Sequence, residues 1–435
     1  LALMVVIRSL KLAIDAYNIA LEHGTGVATY GRNLVSAVAK LGHDVGVLFG
    51  ATARHSKVAL LNEIALAEGD PMARINSSKA EQTMVALGAF HNALRPRLAR
   101  EVPLSGQVIL PISLRLSGKR SWNVRNLYAS SIVLFRGTGA FTKVRVENVE
   151  VAHWTYPLPI EAIGAVNVYT LHDLVPLRLP YTTADHKRAY YKLCKSICDR
   201  ADHILTVSEC SRRDIIEIFG MDERRVTNLY QSSDVATILE GMPEEEIARY
   251  IEGLLGVGIR QYFLFFGAIE PKKNVARMLE AYLGSASNTP LVIVGAPGWG
   301  SEKDIKLLKS IATLDSKKRI IWLGYLPREM LVMLIAGARA TLFPSLYEGF
   351  GLPVLESMSL GTPVITSNTS SLPEVAGDAG LLVDPYDVRS IAKAIMTMDR
   401  DEDLRTGLAA RGREQAARFS TEIYQQRLCS FYNGM

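Results

Sequence analysis

Cysteine is scarce in this chain: four among 435 residues, at 194, 198, 210 and 429. That excludes a disulfide-stapled scaffold, and a chain of this length needs no staple to bury a core. Cys194 and Cys198 stand one helical turn apart, yet no His or Cys follows at metal-ligand spacing, so they read as buried thiols in a reducing compartment. Long hydrophobic runs are missing too. The apolar start ends at Arg8, well short of the roughly 20 residues that span a bilayer, and it lacks a signal peptide's cleavage region, so no targeting is read from it. Charge of one sign is also absent: 49 Lys and Arg against 44 Asp and Glu leave +5, which excludes a strongly basic nucleic-acid coat, and no nucleic-acid partner is expected.

What the chain does have is apolar material, 48% hydrophobic against 21% charged residues, enough for more than one sizeable core. Strand-like runs alternate with longer amphipathic stretches, the pattern of parallel sheets covered by helices. They fall at 12–15, 44–49, 108–110, 166–170 and 203–207, then at 262–266, 291–294, 320–323, 340–343 and 363–366. The acidic, Pro- and Gly-containing stretch Glu240-Gly-Met-Pro-Glu-Glu-Glu246 separates two such series and puts a boundary near 235–260. Residues 51–150 are the least legible. Arg95, Arg97, Lys119, Arg120, Trp122, Arg125, Arg136, Lys143 and Arg145 scatter through broken periodicity there. They read either as a basic face for an anionic acceptor or a membrane surface, or as a solvated insertion.

Three constellations point to chemistry. In Phe343-Pro-Ser-Leu-Tyr-Glu348-Gly-Phe-Gly351-Leu352-Pro353-Val-Leu-Glu356 a strand ends, a Gly-rich turn carries Glu348, and Pro353 opens a helix holding Glu356. Free backbone N–H groups at Gly351 and Leu352, at the positive end of a helix dipole, make a phosphate site. Glu356 would accept hydrogen bonds from a ribose, and Glu348 from hydroxyls of a second group. Gly267-Ala-Ile-Glu-Pro271-Lys272-Lys273-Asn274 follows the first strand of the second half, so its lysines are expected at the same carboxyl edge of the sheet, facing the same phosphates. In the first half, Gly24-Thr-Gly26 and Gly31 have the spacing G-x-G-x4-G, not the dinucleotide fingerprint, and let backbone approach a ligand across a cleft. His172 ends the strand at 166–170, placed to bond a substrate hydroxyl, and His153 is a second cleft candidate.

Together with Val207-Ser-Glu-Cys-Ser-Arg-Arg-Asp214 and Ser371-Leu-Pro-Glu374-Val-Ala-Gly377, these segments resemble the retaining glycosyltransferases of the glycosyltransferase-4 group over nearly the whole chain. The resemblance implies an α/β GT-B fold, two Rossmann-like doubly wound domains facing each other across a cleft. Residues 1–240 would bind acceptor, 241–415 the nucleotide-sugar donor, and 416–435 would return as a helix to the first domain. It implies transfer of a hexose from a nucleotide-diphospho-sugar to a hydroxyl of a glycan or lipid-linked acceptor. Glu348, His172 and Lys273 match catalytic positions; Lys272, Lys273, Gly351, Leu352, Glu356, Gly24 and Gly26 match donor-binding ones. No metal and no cofactor is implied, the nucleotide sugar being a substrate.

At subgroup level the Glu-Pro-Lys-Lys-Asn and His-Asp-Leu-Val-Pro forms resemble bacterial mannosyltransferases of surface polysaccharide assembly. GDP-mannose is therefore the expected donor and UDP-glucose the runner-up, with a cytoplasmic location that includes peripheral contact at the inner membrane face. Two departures stand out. Ala268 takes a place where many relatives carry Arg, and Asn228-Leu-Tyr-Gln-Ser-Ser-Asp234 replaces the usual Asn-Gly-Val-Asp turn. A nucleotide-sugar 2-epimerase and a non-catalytic nucleotide-sugar-binding protein remain competing readings of the same architecture.

Overall fold

The structure, a computed structural model, describes residues 9–20, 26–53, 55–67, 95–108, 120–314 and 320–435. Two large sheets carry it. In the second half, Phe263–Phe266, Leu291–Val294, Ala340–Phe343 and Val364–Ser367 are largely apolar, buried at every position, and pair in parallel. Burial on both faces suits strands covered by helices on each side. Their spatial order is Ile320–Leu323, Leu291–Val294, Phe263–Phe266, Ala340–Phe343, Val364–Ser367, Gly380–Val383. The order therefore reverses between Phe263–Phe266 and Ala340–Phe343. This is the doubly wound arrangement, in which loops leaving the two strands at the reversal part and open a crevice.

The first half forms a sheet of eight strands in the order Val226–Asn228, His203–Thr206, Val166–Thr170, Val151–Trp154, Lys11–Asp15, Asp44–Phe49, Arg120–Asn123, Arg100–Glu101. All its neighbours are parallel except the last pair. Here the reversal lies between Lys11–Asp15 and Val151–Trp154. The strand expected at 108–110 runs into residues outside the described set, and the place beside Asp44–Phe49 is taken by Arg120–Asn123. That strand pairs Arg120 with Asp44 at 3.7 Å and buries Trp122. Two more of the scattered basic residues are likewise engaged: Arg97 donates to Ser130 Oγ at 2.8 Å and to the Arg125 carbonyl, and Arg125 donates to the Thr52 carbonyl at 2.9 Å. Lys119 lies outside the described residues.

Cys194 and Cys198 sit on the buried face of helix Lys187–Arg200, where burial pushes both thiols up, Cys198 to about 12. The last helix, Thr421–Asn433, packs on Gly26–Lys40 of the first half. His153 is part of that junction and not of the cleft: it is fully buried, with Nδ1 2.7 Å from Tyr432 Oη and Nε2 2.8 Å from Thr170 Oγ1. In the 228–234 turn Tyr230 adopts a left-handed conformation (φ 60°), its N–H bonded to Asn228 Oδ1. Its ring packs against Phe419 and Phe350 under the Arg427 guanidinium, so an aromatic anchor stands where a glycine turn is usual.

Candidate active site

The two lysines arrive on a tight turn, Pro271–Lys273, directly after Phe263–Phe266. Asn274 closes that turn with φ 61°, and its Nδ2 donates to the carbonyls of Pro344 (3.0 Å) and Pro385 (2.7 Å). The Leu346 N–H adds a bond to the Lys272 carbonyl at 2.8 Å. The lysine loop and the Glu348 loop are thus stitched together across the reversal point. There Lys273 Nζ lies 2.6 Å from Glu348 Oε1 and Lys272 Nζ 3.7 Å from Oε2. Glu348 is buried. Burial alone would raise its carboxyl, but the two ammonium groups outweigh it and hold the pKa below the usual range. Burial and Lys272 pull Lys273 down, against Glu348. Lys272 is held above its usual value because Glu348, Asp173 and Glu270 together outweigh its burial.

The Glu348 loop is fixed from its other side. Ser370 Oγ accepts the Glu348 N–H at 3.0 Å, and Ser371 Oγ donates to the carbonyls of Glu348 (2.9 Å) and Phe350 (2.7 Å). Gly351 then opens helix Leu352–Ser359 with φ 110°, a conformation that a side chain would strain; a Cβ there would also lie 2.8 Å from Leu372 Cδ2. Backbone N–H groups at this terminus are consequently approachable. One turn further in, buried Glu356 accepts from Arg328 Nη2 at 2.8 Å through Oε1. Burial lifts the Glu356 carboxyl above its ordinary value against the pull of Arg328. Arg328, first residue of Arg328–Gly337, had no sequence signal beyond following a proline.

The first half meets this edge closely. A Cβ on Gly26 would lie 3.4 Å from Leu352 Cδ1, and one on Gly349 would lie 2.8 Å from the His172 carbonyl. Gly24 is outside the described residues. His172 Nε2 is 2.9 Å from the Thr155 carbonyl, which makes that nitrogen the donor. Burial keeps the imidazole's pKa low, so Nδ1 is left with its lone pair. The ring of Tyr30 stands edge-on 4.8 Å away. Behind Thr155 is Asp15, which sequence reading passed over as a strand end. It is buried, accepts the N–H groups of Tyr17 (3.0 Å) and Thr155, and is pushed up to about 6 by burial. His172 and Lys272 line one cavity of about 330 Å³ between the halves. Among the described residues no group of three or more His, Cys, Asp or Glu is set to hold a metal ion.

Two doubly wound sheets, edge to edge over paired lysines, a buried carboxylate and an open helix terminus, define a two-domain α/β protein whose cleft suits an anionic ligand. The chain belongs to the glycosyltransferases: the Glycosyl transferases group 1 family matches residues 257–415 and the Glycosyl transferase 4-like domain residues 25–230. It is a glycosyltransferase enzyme of the GT-B fold. It is 39% identical over 262 residues to the O-antigen chain mannosyltransferase B of Escherichia coli, covering 59% of this chain and 67% of that one. To the serotype-specific mannosyltransferase WbdA of Escherichia coli it is 29% identical over 278 residues, covering 61% of this chain and 33% of that one. The solved structure of sucrose-phosphate synthase from Thermosynechococcus elongatus matches with a TM-score of 0.66 at 18% identity, covering 98% of this chain and 99% of that one.

Proposed function

We propose that the chain transfers mannose from GDP-mannose, with retention of anomeric configuration, to a hydroxyl of a glycan or lipid-linked glycan in surface polysaccharide assembly. The observation that carries this reading is the meeting of Lys272, Lys273 and Glu348 beside the Gly351 helix terminus at the point where the strand order reverses. The lysines and the N–H groups of Gly351 and Leu352 would take up charge on the departing diphosphate without a metal. A diphosphate oxygen accepts the acceptor's proton as the new bond forms on the same face of the sugar. Glu356 holds the ribose by its second oxygen, and His172 Nδ1 accepts from a sugar hydroxyl. Residues 241–415 thus serve the donor and 1–240 the acceptor. The names of the mannosyltransferase relatives support the choice of sugar.

A thermal-shift screen of nucleotide sugars followed by transfer assays tests the reading, since a ligand that binds only the folded chain raises its apparent stability. GDP-mannose should give the largest shift, and the product should keep the α configuration. A larger shift with UDP-glucose would reassign the donor, and epimerised donor without acceptor would replace the activity.

We also propose peripheral contact with the inner membrane face. Among the described residues no helix is long and apolar enough to cross a membrane. Leu98, about half exposed, lines a cavity together with Arg97, Arg100 and Arg125, and Val58 and Leu61, equally exposed, lie at the start of helix Ala59–Ala67, whose Asn62 and Ala65 also line it. Apolar side chains beside cations fit an anionic bilayer surface. Neutralising Arg95, Arg100 and Arg125 should abolish sedimentation with phosphatidylglycerol vesicles; undiminished sedimentation would return this face to plain solvent exposure.

A further inference from the structure

The cavity shared by His172 and Lys272 has a charge that the donor site does not explain. Three carboxylates line it, Asp173 and Asp185 from the first half and Glu270 from the second, against the single ammonium of Lys272. That ammonium already faces Glu348 at 3.7 Å, and His172 is held neutral by burial. Lys187, the nearest further cation along the chain, bonds Thr183 Oγ1 at 3.0 Å and does not line the cavity. Among the described residues Asp185 is exposed and its carboxylate makes no hydrogen bond or ion pair, whereas Asp173 Oδ1 accepts the Val175 N–H at 3.0 Å.

The walls are aromatic as well as acidic. Tyr156 and Tyr190 are rings of the first half lining the cavity, and Trp299 of the second half lines it while 51% exposed. An indole left half in water at the mouth of a cavity offers a flat apolar face with a polar edge. Carboxylates that can only accept hydrogen bonds, beside aromatic faces, match a ring that presents hydroxyl donors on its edge and C–H groups on its face. A phosphate brings a charge of about −1.5 to −2 at neutral pH, and Lys272, the one cation among the described residues lining this cavity, is the one the donor diphosphate would take.

We propose that this cavity binds the terminal ring of a neutral polyhydroxylated acceptor, a glycan end, and rejects an anionic one, with Asp185 and Trp299 as the side chains that set this specificity. The inference rests on the glycosyl-transfer reading above and narrows its acceptor class. Asp185 takes hydroxyl hydrogen bonds and repels phosphate, Trp299 stacks on the ring, and the opening toward Lys272 and His172 brings the ring's hydroxyl to the donor sugar.

The test pairs mannotriose with the same trisaccharide phosphorylated on its non-reducing residue, using the full chain and the donor its thermal shift identifies. The neutral acceptor should give a kcat/KM at least ten-fold higher. Asp185→Asn should narrow that gap by improving use of the phosphorylated acceptor. Trp299→Ala should raise KM for mannotriose several-fold while the donor-induced thermal shift, which reports folding and donor binding, stays as in the parent. Equal or better use of the phosphorylated acceptor overturns the assignment, as do constants unmoved by both substitutions. Loss of the donor-induced shift in the parent chain would instead sink the glycosyl-transfer reading, so the two failures are distinguishable.

Discussion

Lys273 has two duties that a single substitution separates from those of its neighbours. It neutralises buried Glu348 at 2.6 Å, and its Nζ lies 4.7 Å from the centre of the Phe343 ring, which fixes its direction. Lys273→Ala should lower turnover at saturating donor by two or more orders of magnitude, the scale of losing one preorganised charge-stabilising group. Unchanged turnover would remove Lys273 from the mechanism. Glu356 is a contrasting case. Its Oε1 is occupied by Arg328, and the ribose proposed for its second oxygen lies away from the reacting bond and is held alike in ground and transition states. Glu356→Ala should therefore raise donor KM before it lowers kcat; a pure kcat effect in steady-state kinetics would contradict ribose holding. Lys272, Lys273 and Glu348 were legible in the sequence because the turn chemistry that places them is local. Arg328 and Asp15 were not, because each acts on a partner far along the chain, Glu356 and Thr155, and neither sits in a local pattern.

At the scale of elements, the polar strand Arg120–Asn123 explains why the stretch around it resisted reading. Only Trp122 in it is large and apolar, and it earns its place in the sheet by pairing with Asp44–Phe49. Phe263–Phe266, Leu291–Val294 and Ala340–Phe343 were legible because they are short, largely apolar runs buried on both faces, whereas the partly exposed strand Gly380–Val383 was not. The return of 416–435 to the first domain was implied by the family resemblance, but the residues that meet there were hidden in the same way as Arg328, since His153 and Tyr432 come together only after folding. Burial, then the nearby His172, lower the His153 pKa from 6.5 to about 3. The folded chain thus refuses a proton that the unfolded chain takes up below pH 6.5. Stability from this group is complete above that pH and is lost as pH falls toward 3, at about 1.4 kcal/mol per unit. His153→Gln should flatten the acid limb of the urea midpoint between pH 6.5 and 4.5 by about one proton's slope. A limb as steep as the parent's would mean that other groups set it.

Across the whole molecule, the two halves are fastened beside the Lys273–Glu348 pair as well as by the returning helix. Helix Glu209–Phe219 of the first half begins under Glu374 of the second, whose carboxylate accepts the N–H groups of Glu209 (2.9 Å) and Cys210 (3.0 Å). From the same helix Asp214, held by Arg178 Nε at 2.8 Å, accepts a hydrogen bond from Tyr347, the residue before Glu348. These bonds tie the Glu348 loop and the Glu374 segment of the second half to one helix of the first. Hydrogen bonds to a charged group contribute about 1.5–3 kcal/mol each, enough to shift a closure equilibrium ten-fold or more. Glu374→Ala, combined with Tyr347→Phe, should open the free chain, seen as a larger radius of gyration in small-angle scattering with unchanged far-ultraviolet circular dichroism. Saturating donor should draw it partly closed again, because a ligand that contacts both halves favours the closed state by its differential affinity. If the doubly substituted chain scatters like the parent with and without donor, these contacts do not govern closure, and the Tyr230 anchor with the returning helix must hold the halves instead.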